Sequence, residues 1–500
     1  MAMSAVRPMR VQLATFNANQ RIDARDVSGL TEWLVPTVRE DLQSGFATDA
    51  SGHARVSAHT AGPREAPDLY VVGFQEFAPL HATLAGTAGD VLSALDMEIR
   101  RTVRTHQAAV RPDHMYDPIE LGGGPENYAR LAQVCHGGTA MFVYARERAA
   151  RGSSAPSAAE RVKEVRTASV GTGIANVLGN KGAVGVRVAM AGTDGARDEV
   201  LTFVCAHLAA HDHNVPRRNA DWKSIVERLV FAPWAAAPLP SLQVRGGASH
   251  AESLGRVQSV PNTARPPAGA LDGRSYSLYD TQHLFVVGDL NYRMAVGAPG
   301  AAGPGATAPP LTKKAVQELV AAPSARRWAA LAPYDQLQII QAQSPRPAFQ
   351  GLEVPDMAQL DIPPTYKYKP SASGAPSPLS AKRLPGWPDR ILWGSSAPAA
   401  TCELYRSVLR MTISDHKPVT CILRVPPRPE APFLVSPWPV DARWHSLFVV
   451  GRVFDRIVGY VWSALLLFGN GSLPVAVAEL VVLAAFAAWW LQHGELPSWR

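Results

Sequence analysis

Short apolar runs rich in β-branched and aromatic residues recur along the chain, and they constrain its fold more than any other feature. Runs of this length favour β-strands, whereas the longer stretches between them favour helices. The predicted strands lie at 11–16, 69–74, 139–144, 183–188, 201–206, 284–287 and 419–423, and the predicted helices at 29–42, 91–107 and 219–231. Several strands end just before a polar cluster. We therefore predict a two-layered β core with flanking helices and functional groups on strand-end loops.

The chain of 500 residues is long for one domain, but its polar motifs run from residue 17 to 416 without a second set. One large domain, 1–426, is the simplest organisation. Segments rich in Gly, Pro, Ala and Ser are predicted to loop out from this domain, because such composition buries little apolar surface. These predicted insertions lie at about 236–274, 295–310 and 370–380, and a Pro-rich linker at 427–444 leads to a hydrophobic segment at 445–500.

The net charge and the cysteines give weaker evidence about function. The formal net charge of +7 favours an anionic partner, although such an excess spread over a chain of this length is also common on ordinary soluble proteins. The four cysteines, Cys135, Cys205, Cys402 and Cys421, form no CxxC pair. We therefore expect free thiols in a reducing compartment and no zinc site.

The C-terminal segment has the composition of a membrane anchor. Residues 473–491 are interrupted only by Pro474 and Glu479, and as a helix they would extend roughly 28 Å, close to the hydrocarbon thickness of a bilayer. The preceding piece, 457–468, is too short to span and could lie along the surface or form half of a hairpin. Both pieces could instead be amphipathic helices packed on the domain. Without a secretory signal at 1–10, we expect a cytosol-facing domain, with the endoplasmic reticulum as the expected membrane.

Two polar segments beside apolar runs carry groups that suit phosphoryl chemistry. Gly-Asp-Leu-Asn-Tyr-Arg at 288–293 and Ser-Asp-His-Lys-Pro at 414–418 supply carboxylates, an amide and an imidazole. A metal-assisted phosphoesterase uses such groups to hold a hard cation, position a water and neutralise charged oxygens. Asn17 and Glu76 end the first two predicted strands and could bind Mg²⁺, although Asn17 alone could cap a turn and Glu76 a helix.

Two further clusters could contact an anion. His207 ends a predicted strand and could donate to a phosphoryl oxygen, with arginines following at 217 and 218. The glycine-rich loop at 171–182 fails as a P-loop, because Asn180 separates Gly179 from Lys181 and no Ser or Thr follows the lysine. It remains a loop that can bring Lys181 and backbone donors close to an anion.

Taken in order, these segments resemble the inositol polyphosphate 5-phosphatases of the endonuclease/exonuclease/phosphatase superfamily, and with its apolar tail the chain is similar to tail-anchored fungal-type members. The match covers about residues 10–424. It is carried by Gly-Asn-Lys-Gly at 179–182, His-Leu-Ala-Ala-His with Arg-Arg-Asn at 207–219, Gly-Asp-Leu-Asn-Tyr-Arg at 288–293, Pro-Pro-Thr-Tyr-Lys-Tyr at 363–368, Asp-Arg-Ile-Leu-Trp at 389–393 and Ser-Asp-His-Lys-Pro-Val at 414–419. The resemblance implies an α/β (α+β) fold, a DNase I-like four-layer β-sandwich flanked by helices, with a C-terminal membrane-anchor helix.

The resemblance also implies roles for the groups that act on metal and water. It places Mg²⁺ at Asn17 and Glu76. Asp289 would orient or deprotonate the attacking water, and Asn291 would hold the water and a phosphoryl oxygen.

The remaining implied roles concern the phosphate. His416 would contact the scissile phosphate and be oriented by Asp389, with Asp415 near the metal, and His207 would be a second phosphate-contacting histidine. Tyr366 and Lys367 match the family's readers of the 4-phosphate. The full set of implied substrate-binding residues is Lys181, Arg218, Asn219, Tyr366, Lys367 and Arg390.

The predicted function is Mg²⁺-dependent hydrolysis of the 5-phosphate of phosphatidylinositol 4,5-bisphosphate, giving phosphatidylinositol 4-phosphate at a membrane surface. A tethered domain meets lipid head groups at a high effective concentration. Soluble inositol polyphosphate 5-phosphatase activity and a nuclease-type phosphodiesterase are the alternative enzymes, and a silent phosphoinositide-binding scaffold is the non-enzymatic one. Lys181 and the Tyr366–Lys367 pair argue against a nucleic-acid substrate.

Overall fold

The computed structural model describes residues 8–34, 66–110, 127–147, 156–192, 197–233, 273–295 and 300–493, the last range with gaps at 304–305, 309, 311, 322–327, 345–346, 372–376, 381–382, 397–398, 428–430 and 470. Most of the predicted insertion at 236–274, the distal part of the predicted helix 29–42 and part of the predicted insertion at 370–380 lie outside the described residues.

The first sheet has six strands in the order β12-β13-β1-β2-β4-β3. Its central strands β1 and β2 are parallel, so that Asn17 lies beside Gln75 and the carboxyl ends of both strands share one edge. The strands are β1 Met9–Asn17, β2 Leu69–Gln75, β3 Tyr128–His136, β4 Thr139–Arg146, β12 Thr401–Ser407 and β13 Val419–Val425.

The second sheet has five strands in the order β11-β8-β7-β6-β5. Here β7 and β8 are parallel, with His207 opposite Asp289, and β11 runs antiparallel to β8, with Asp389 opposite Asp289. The strands are β5 Val162–Gly171, β6 Gly182–Met190, β7 Glu199–His207, β8 His283–Asp289 and β11 Asp389–Ser395. The predicted insertion at 295–310 contains a two-stranded hairpin, β9 Gly300–Gly303 and β10 Ala306–Ala308.

The two sheets pack face to face around one apolar core. Alternate side chains point to the same face of a strand, and Val11 and Leu13 of β1 belong, with Val184 and Val186 of β6, to one cluster in which these four residues are completely buried. Burial of this kind contributes about 25 cal/mol per Å² of apolar surface. It holds the two sheets together as the inner layers of a sandwich.

Helices cover the outer face of each sheet. Helix α2, Gly89–Val110, packs Leu95 and Ile99 onto the first sheet, and helix α3, Val215–Arg228, packs Trp222 and Ile225 onto the second. The resulting helix–sheet–sheet–helix order confirms the predicted four-layer sandwich.

The predicted helices agree only in part with the structure. The predicted helix 91–107 lies within α2. The helix predicted at 219–231 begins earlier, at Val215, and ends earlier, at Arg228. It ends there because Phe231 is extended and pairs with Tyr276. The prediction of a helix at 29–42 is wrong for the described residues 29–34, because only the 3-10 turn Glu32–Leu34 forms there. The shorter helices are α1 Leu80–Ala85, α4 Lys313–Ala321, α5 Gln336–Gln343 and α6 Met357–Leu360, with 3-10 turns at Ile174–Asn176 and Ala332–Tyr334.

Two helices, α7 Trp444–Phe468 and α8 Leu473–His493, end the described chain. The piece predicted at 457–468 is thus part of a longer helix, whose residues Gly451, Asp455 and Gly459 are buried against the domain. Within the described residues, no single helix is long and apolar enough to cross a bilayer, and only α7 and α8 together, bent by 82° at their junction, satisfy that criterion. Membrane anchoring therefore stays a prediction.

The segment predicted as a linker lies along the domain. The backbone N–H of Leu434 donates to Thr281 O at 2.9 Å, and that of Asp441 donates to Glu227 O at 2.9 Å. These bonds guide the chain from β13 to the start of α7.

Candidate active site

The ends of strands from both sheets bring the polar groups together. Because β1 is parallel to β2 and β7 to β8, residues at their carboxyl ends meet at one edge of the sandwich. Asn17 ends β1, Glu76 follows β2, and His207 and Asp289 end β7 and β8. The antiparallel strand β11 begins at the same edge with Asp389. The fold thus assembles groups that are far apart in sequence.

Asp289 is the centre of this cluster and is 1% exposed. Its Oδ2 accepts a hydrogen bond from Asn17 Nδ2 at 2.9 Å, and its Oδ1 accepts one from the backbone N–H of Asn291 at 3.0 Å. The Nε2 atoms of His207 and His416 lie 3.5 and 4.0 Å from Oδ2. Burial alone would raise the pKa of Asp289, but the neighbouring positive groups, His416 foremost, lower it to about 2. The carboxylate is therefore ionised and fixed in orientation.

His416 is held by a second carboxylate. Its Nδ1 lies 2.9 Å from Asp389 Oδ2, which also accepts a hydrogen bond from Thr365 Oγ1 at 2.6 Å. Burial lowers the pKa of His416, but the charges of Asp389 and Asp289 outweigh it and raise the pKa to about 9. At neutral pH His416 is thus a cation whose Nε2–H faces the centre of the site.

Unlike His416, His207 is neutral. Burial, together with the ammonium group of Lys181, lowers the pKa of His207 well below its ordinary value. The neutral ring accepts a hydrogen bond from Lys181 Nζ, which lies 2.5 Å from Nε2. Burial also lowers the pKa of Lys181. The lysine of the glycine-rich loop therefore reaches the cluster, as the sequence predicts.

The oxygen donors beside Asp289 fit a divalent cation. Glu76 is the more open carboxylate, with a side chain 31% exposed against 2% for Asp289, and its Oε1 lies 3.8 Å from His207 Nε2. Asn17 adds an amide oxygen at the same edge, and this oxygen also accepts the backbone N–H of Asn19 at 2.9 Å, so that Asn17 caps a turn as well. Hard cations such as Mg²⁺ take one or two carboxylates and keep several waters. The chemistry of this donor set agrees with a divalent cation held by Glu76 and Asn17 beside Asp289.

Ligand atoms of Asp289, Asp389 and His416 also lie within 4.8 Å of one another, close enough to surround an ion. However, His416 Nδ1 is bonded to Asp389 and the pKa of the ring is raised. Without a cation, Asp389 and His416 therefore form a hydrogen-bonded ion pair beside Asp289.

Tyr366 and Lys367 line one side of the site. The Tyr366 ring lies 4.6 Å from the His416 ring, centroid to centroid, and Lys367 Nζ donates to Asp415 Oδ2 at 2.7 Å. Asp415 is thus paired with a lysine, an arrangement that the predicted role near a metal did not anticipate. With its side chain 35% exposed, Lys367 is open to a ligand.

Two of the predicted substrate contacts, Arg218 and Arg390, occupy structural positions. Arg218 is completely buried and donates to His211 O at 2.7 Å and Gln336 Oε1 at 2.6 Å. Arg390 is also completely buried, with Nη2 2.6 Å from Asp335 Oδ1. Both guanidinium groups are thus buried among protein acceptors, an arrangement that the predicted contact with a substrate did not anticipate.

Asn219 is turned to a neighbouring side chain. Its Oδ1 accepts a hydrogen bond from Tyr292 Oη at 2.6 Å. Its role in substrate binding stays a prediction.

The prediction omitted Arg293, which the structure places in the site. Its guanidinium donates to Asn291 Oδ1 and lies over the Tyr366 ring, 4.2 Å from the centroid. Asn291 also donates from Nδ2 to Leu208 O at 3.0 Å. The signal for Arg293 was its place at the end of the segment 288–293, where it lies four residues after Asp289.

Comparison with known proteins defines the family. The family model described as Endonuclease/Exonuclease/phosphatase family 2 matches residues 14–422. The chain belongs to this family.

Individual relatives confirm the resemblance that the motifs indicated. Type II inositol polyphosphate 5-phosphatase 14 of Arabidopsis thaliana is 29% identical over 52% of this chain and 21% of its own length. Synaptojanin-2 of Homo sapiens is 24% identical over 77% of this chain and 18% of its own length. The chain thus spans about a fifth of the length of these curated relatives. A crystal structure of a synaptojanin inositol polyphosphate 5-phosphatase domain, in complex with inositol (1,4)-bisphosphate and calcium, has a TM-score of 0.49 and 21% identity, covering 92% of this chain and 93% of that one.

Proposed function

We propose that the protein is a Mg²⁺-dependent phosphatase that removes the 5-phosphate of phosphatidylinositol 4,5-bisphosphate and yields phosphatidylinositol 4-phosphate at a membrane surface. The observation that carries the proposal is the arrangement around Asp289, which accepts a hydrogen bond from Asn17 and lies within 4.0 Å of two histidines, the cationic His416 and the neutral His207. Names of related proteins support the substrate class, since they include inositol polyphosphate 5-phosphatases and a phosphatidylinositol 3,4,5-trisphosphate 5-phosphatase.

The geometry suits attack of water on a phosphate monoester. A bond forms between the water oxygen and phosphorus while the bond from phosphorus to the inositol oxygen breaks; the water loses one proton, and the inositol oxygen takes up one proton and leaves as a hydroxyl. With a pKa lowered to about 2, Asp289 is a weak base, so its main contribution is to orient the water through a fixed acceptor oxygen. A bound divalent cation would supply Lewis-acid neutralisation of phosphoryl charge, and Glu76 and Asn17 would hold it.

Positive groups surround the place where phosphate charge would develop. His416 is cationic at neutral pH and can donate from Nε2, while the ammonium group of Lys181 lies against His207. Preorganised donors aimed at developing charge stabilise a transition state more than a ground state. Lys367, which is paired with Asp415, and the hydroxyl of Tyr366 add hydrogen-bond donors for a second phosphate, as recognition of a neighbouring 4-phosphate requires.

Helix α8 supports a lipid substrate. Apolar side chains are exposed on all its faces, and a helix that is apolar all round needs an apolar environment. Its large exposed residues are Val475, Val477, Leu480, Val481, Val482, Leu483 and Phe486. We propose that this helix enters a bilayer, with the membrane of the endoplasmic reticulum as the proposed location.

The test uses the full chain with three substrates. The proposal predicts Mg²⁺-dependent phosphate release from phosphatidylinositol 4,5-bisphosphate in mixed vesicles, with phosphatidylinositol 4-phosphate as product. Asp289→Asn should lower the rate on the order of a hundredfold or more. Faster turnover of inositol 1,4,5-trisphosphate would favour a soluble substrate, and cleavage of the diester bis(p-nitrophenyl) phosphate alone would favour a phosphodiesterase. Either result would overturn the proposal.

A further inference from the structure

Helix α7, which follows the residues matched by the family model, inserts a carboxylate into the domain. Asp455 is 2% exposed, and both of its oxygens are used. Oδ2 lies 2.6 Å from His136 Nε2, and Oδ1 accepts the backbone N–H of Gly179 at 2.7 Å. The family match ends at residue 422, so this contact is supplied by the C-terminal extension.

The surrounding backbone is shaped to admit this helix. A Cβ atom added at Gly451 would lie 2.9 Å from Val177 O, and one added at Gly459 would lie 2.2 Å from Ala85 N. Real Cβ atoms do not approach a backbone so closely, so both positions require glycine. A buried charge is expensive unless it is fully paired. Close packing of Gly451 and Gly459 on the domain thus brings Asp455 within hydrogen-bonding distance of the Gly179 amide.

Gly179 opens the short segment that carries Lys181 into the active site. Only Asn180 separates Gly179, whose amide Asp455 holds, from Lys181, whose Nζ contacts His207. Lys181 O accepts the backbone N–H of Thr172 at 2.8 Å, which closes the loop on the other side. A change in the position of Gly179 is therefore passed directly to the Lys181 side chain.

We propose that Asp455 is a positioning residue for the active site: by fixing the Gly179 amide it holds Lys181 against His207, and the C-terminal helix α7 is a working part of the catalytic unit. This inference rests on the proposed phosphatase function only for its kinetic consequence. The position of the loop can be measured without turnover.

The test compares Asp455→Asn with Arg456→Ala in the full chain. Arg456 is the next residue of the same helix, but it contacts α1 through Leu84 O at 3.3 Å, away from the loop. In Asp455→Asn we expect faster amide hydrogen exchange in the peptide 171–182, and a fall in kcat/KM on the order of tenfold for water-soluble short-chain phosphatidylinositol 4,5-bisphosphate. Arg456→Ala should change neither quantity.

A double-mutant cycle separates positioning from a general loss of structure. If Asp455 acts through Lys181, Asp455→Asn should lower kcat/KM little further in a Lys181→Ala background. An equal fall in both backgrounds, or unchanged exchange at 171–182 in Asp455→Asn, would overturn the inference. Absence of phosphate release by the wild type would instead refute the proposed function, and hydrogen exchange would still decide the role of Asp455.

Discussion

The Asp389–His416 pair permits a sharp test of the site, because one isosteric substitution should change a measurable pKa. His416 Nδ1 lies 2.9 Å from Asp389 Oδ2. Burial lowers the pKa of His416, but Asp389, the nearest carboxylate, and Asp289 raise it to about 9. Asp389→Asn replaces the charge by an amide oxygen that can still accept the Nδ1–H bond. We expect the pKa of His416 to fall from about 9 toward its ordinary value of 6.5.

The magnitude and the direction of the stability effect follow from the same shift. The difference between 6.5 and about 9 corresponds to about 3 kcal/mol in favour of the imidazolium of His416 in the folded protein. Because this pKa is raised on folding, the stabilisation is complete below pH 6.5 and is lost as the pH rises through about 9. Asp389→Asn should therefore lower the free energy of unfolding most in mild acid, and the difference from wild type should shrink in alkali.

Histidine ring NMR of the metal-free full chain measures the pKa directly, and urea unfolding at a mildly acidic and an alkaline pH measures the stability difference. Asp415→Asn is the matched control, since Asp415 raises the pKa of His416 less than Asp389 does. A His416 pKa that is the same in Asp389→Asn and wild type would refute the assignment of its charge to this pair.

Three other predictions follow from burial and charge. Lys181→Ala should raise the pKa of His207 by removing the adjacent ammonium group, as measured by the same NMR titration. Leu95→Ala should lower the free energy of unfolding by about 2–5 kcal/mol, because Leu95 is completely buried in the cluster under α2; Met97→Ala, at a position 58% exposed, should change it by less than about 0.5 kcal/mol. Deletion of 473–500 should abolish flotation with lipid vesicles, and persistent flotation would contradict the role of α8.

The seven strands predicted from sequence are the interior strands of the two sheets. The four missed strands of these sheets, β3, β5, β11 and β12, are the ones at their edges. An interior strand has neighbours on both sides and layers on both faces, so its sequence is a continuous apolar run. Edge strands carry polar residues that discourage further pairing. Val162–Gly171, for example, contains exposed and partly exposed positions between its buried ones, which weakens its signal.

The strand-end positions of the site could be predicted because catalytic groups follow apolar runs. The sequence could not predict whether the side chain of each arginine points into the protein or toward the site. Arg218, Arg390 and Arg293 all stand within matching motifs, yet two are buried among backbone carbonyls and acids while the third lies over Tyr366. A guanidinium that supports a loop and one that faces a ligand have the same sequence signature. Only the packing of the surrounding elements distinguishes them.

Hydropathy alone does not show that the first C-terminal helix packs on the domain. Gly451, Asp455 and Gly459 recur at intervals of four, which places them on one face of a helix, and this face is buried on the domain. A stripe of two glycines and an acid suits close contact with a polar backbone, whereas α8 has no comparable stripe among its exposed apolar residues. Since Asp455 bonds to Gly179, a boundary drawn at 426 would remove a contact of the Lys181 loop. The catalytic unit should therefore extend through Phe468, and only α8 should be separable from it.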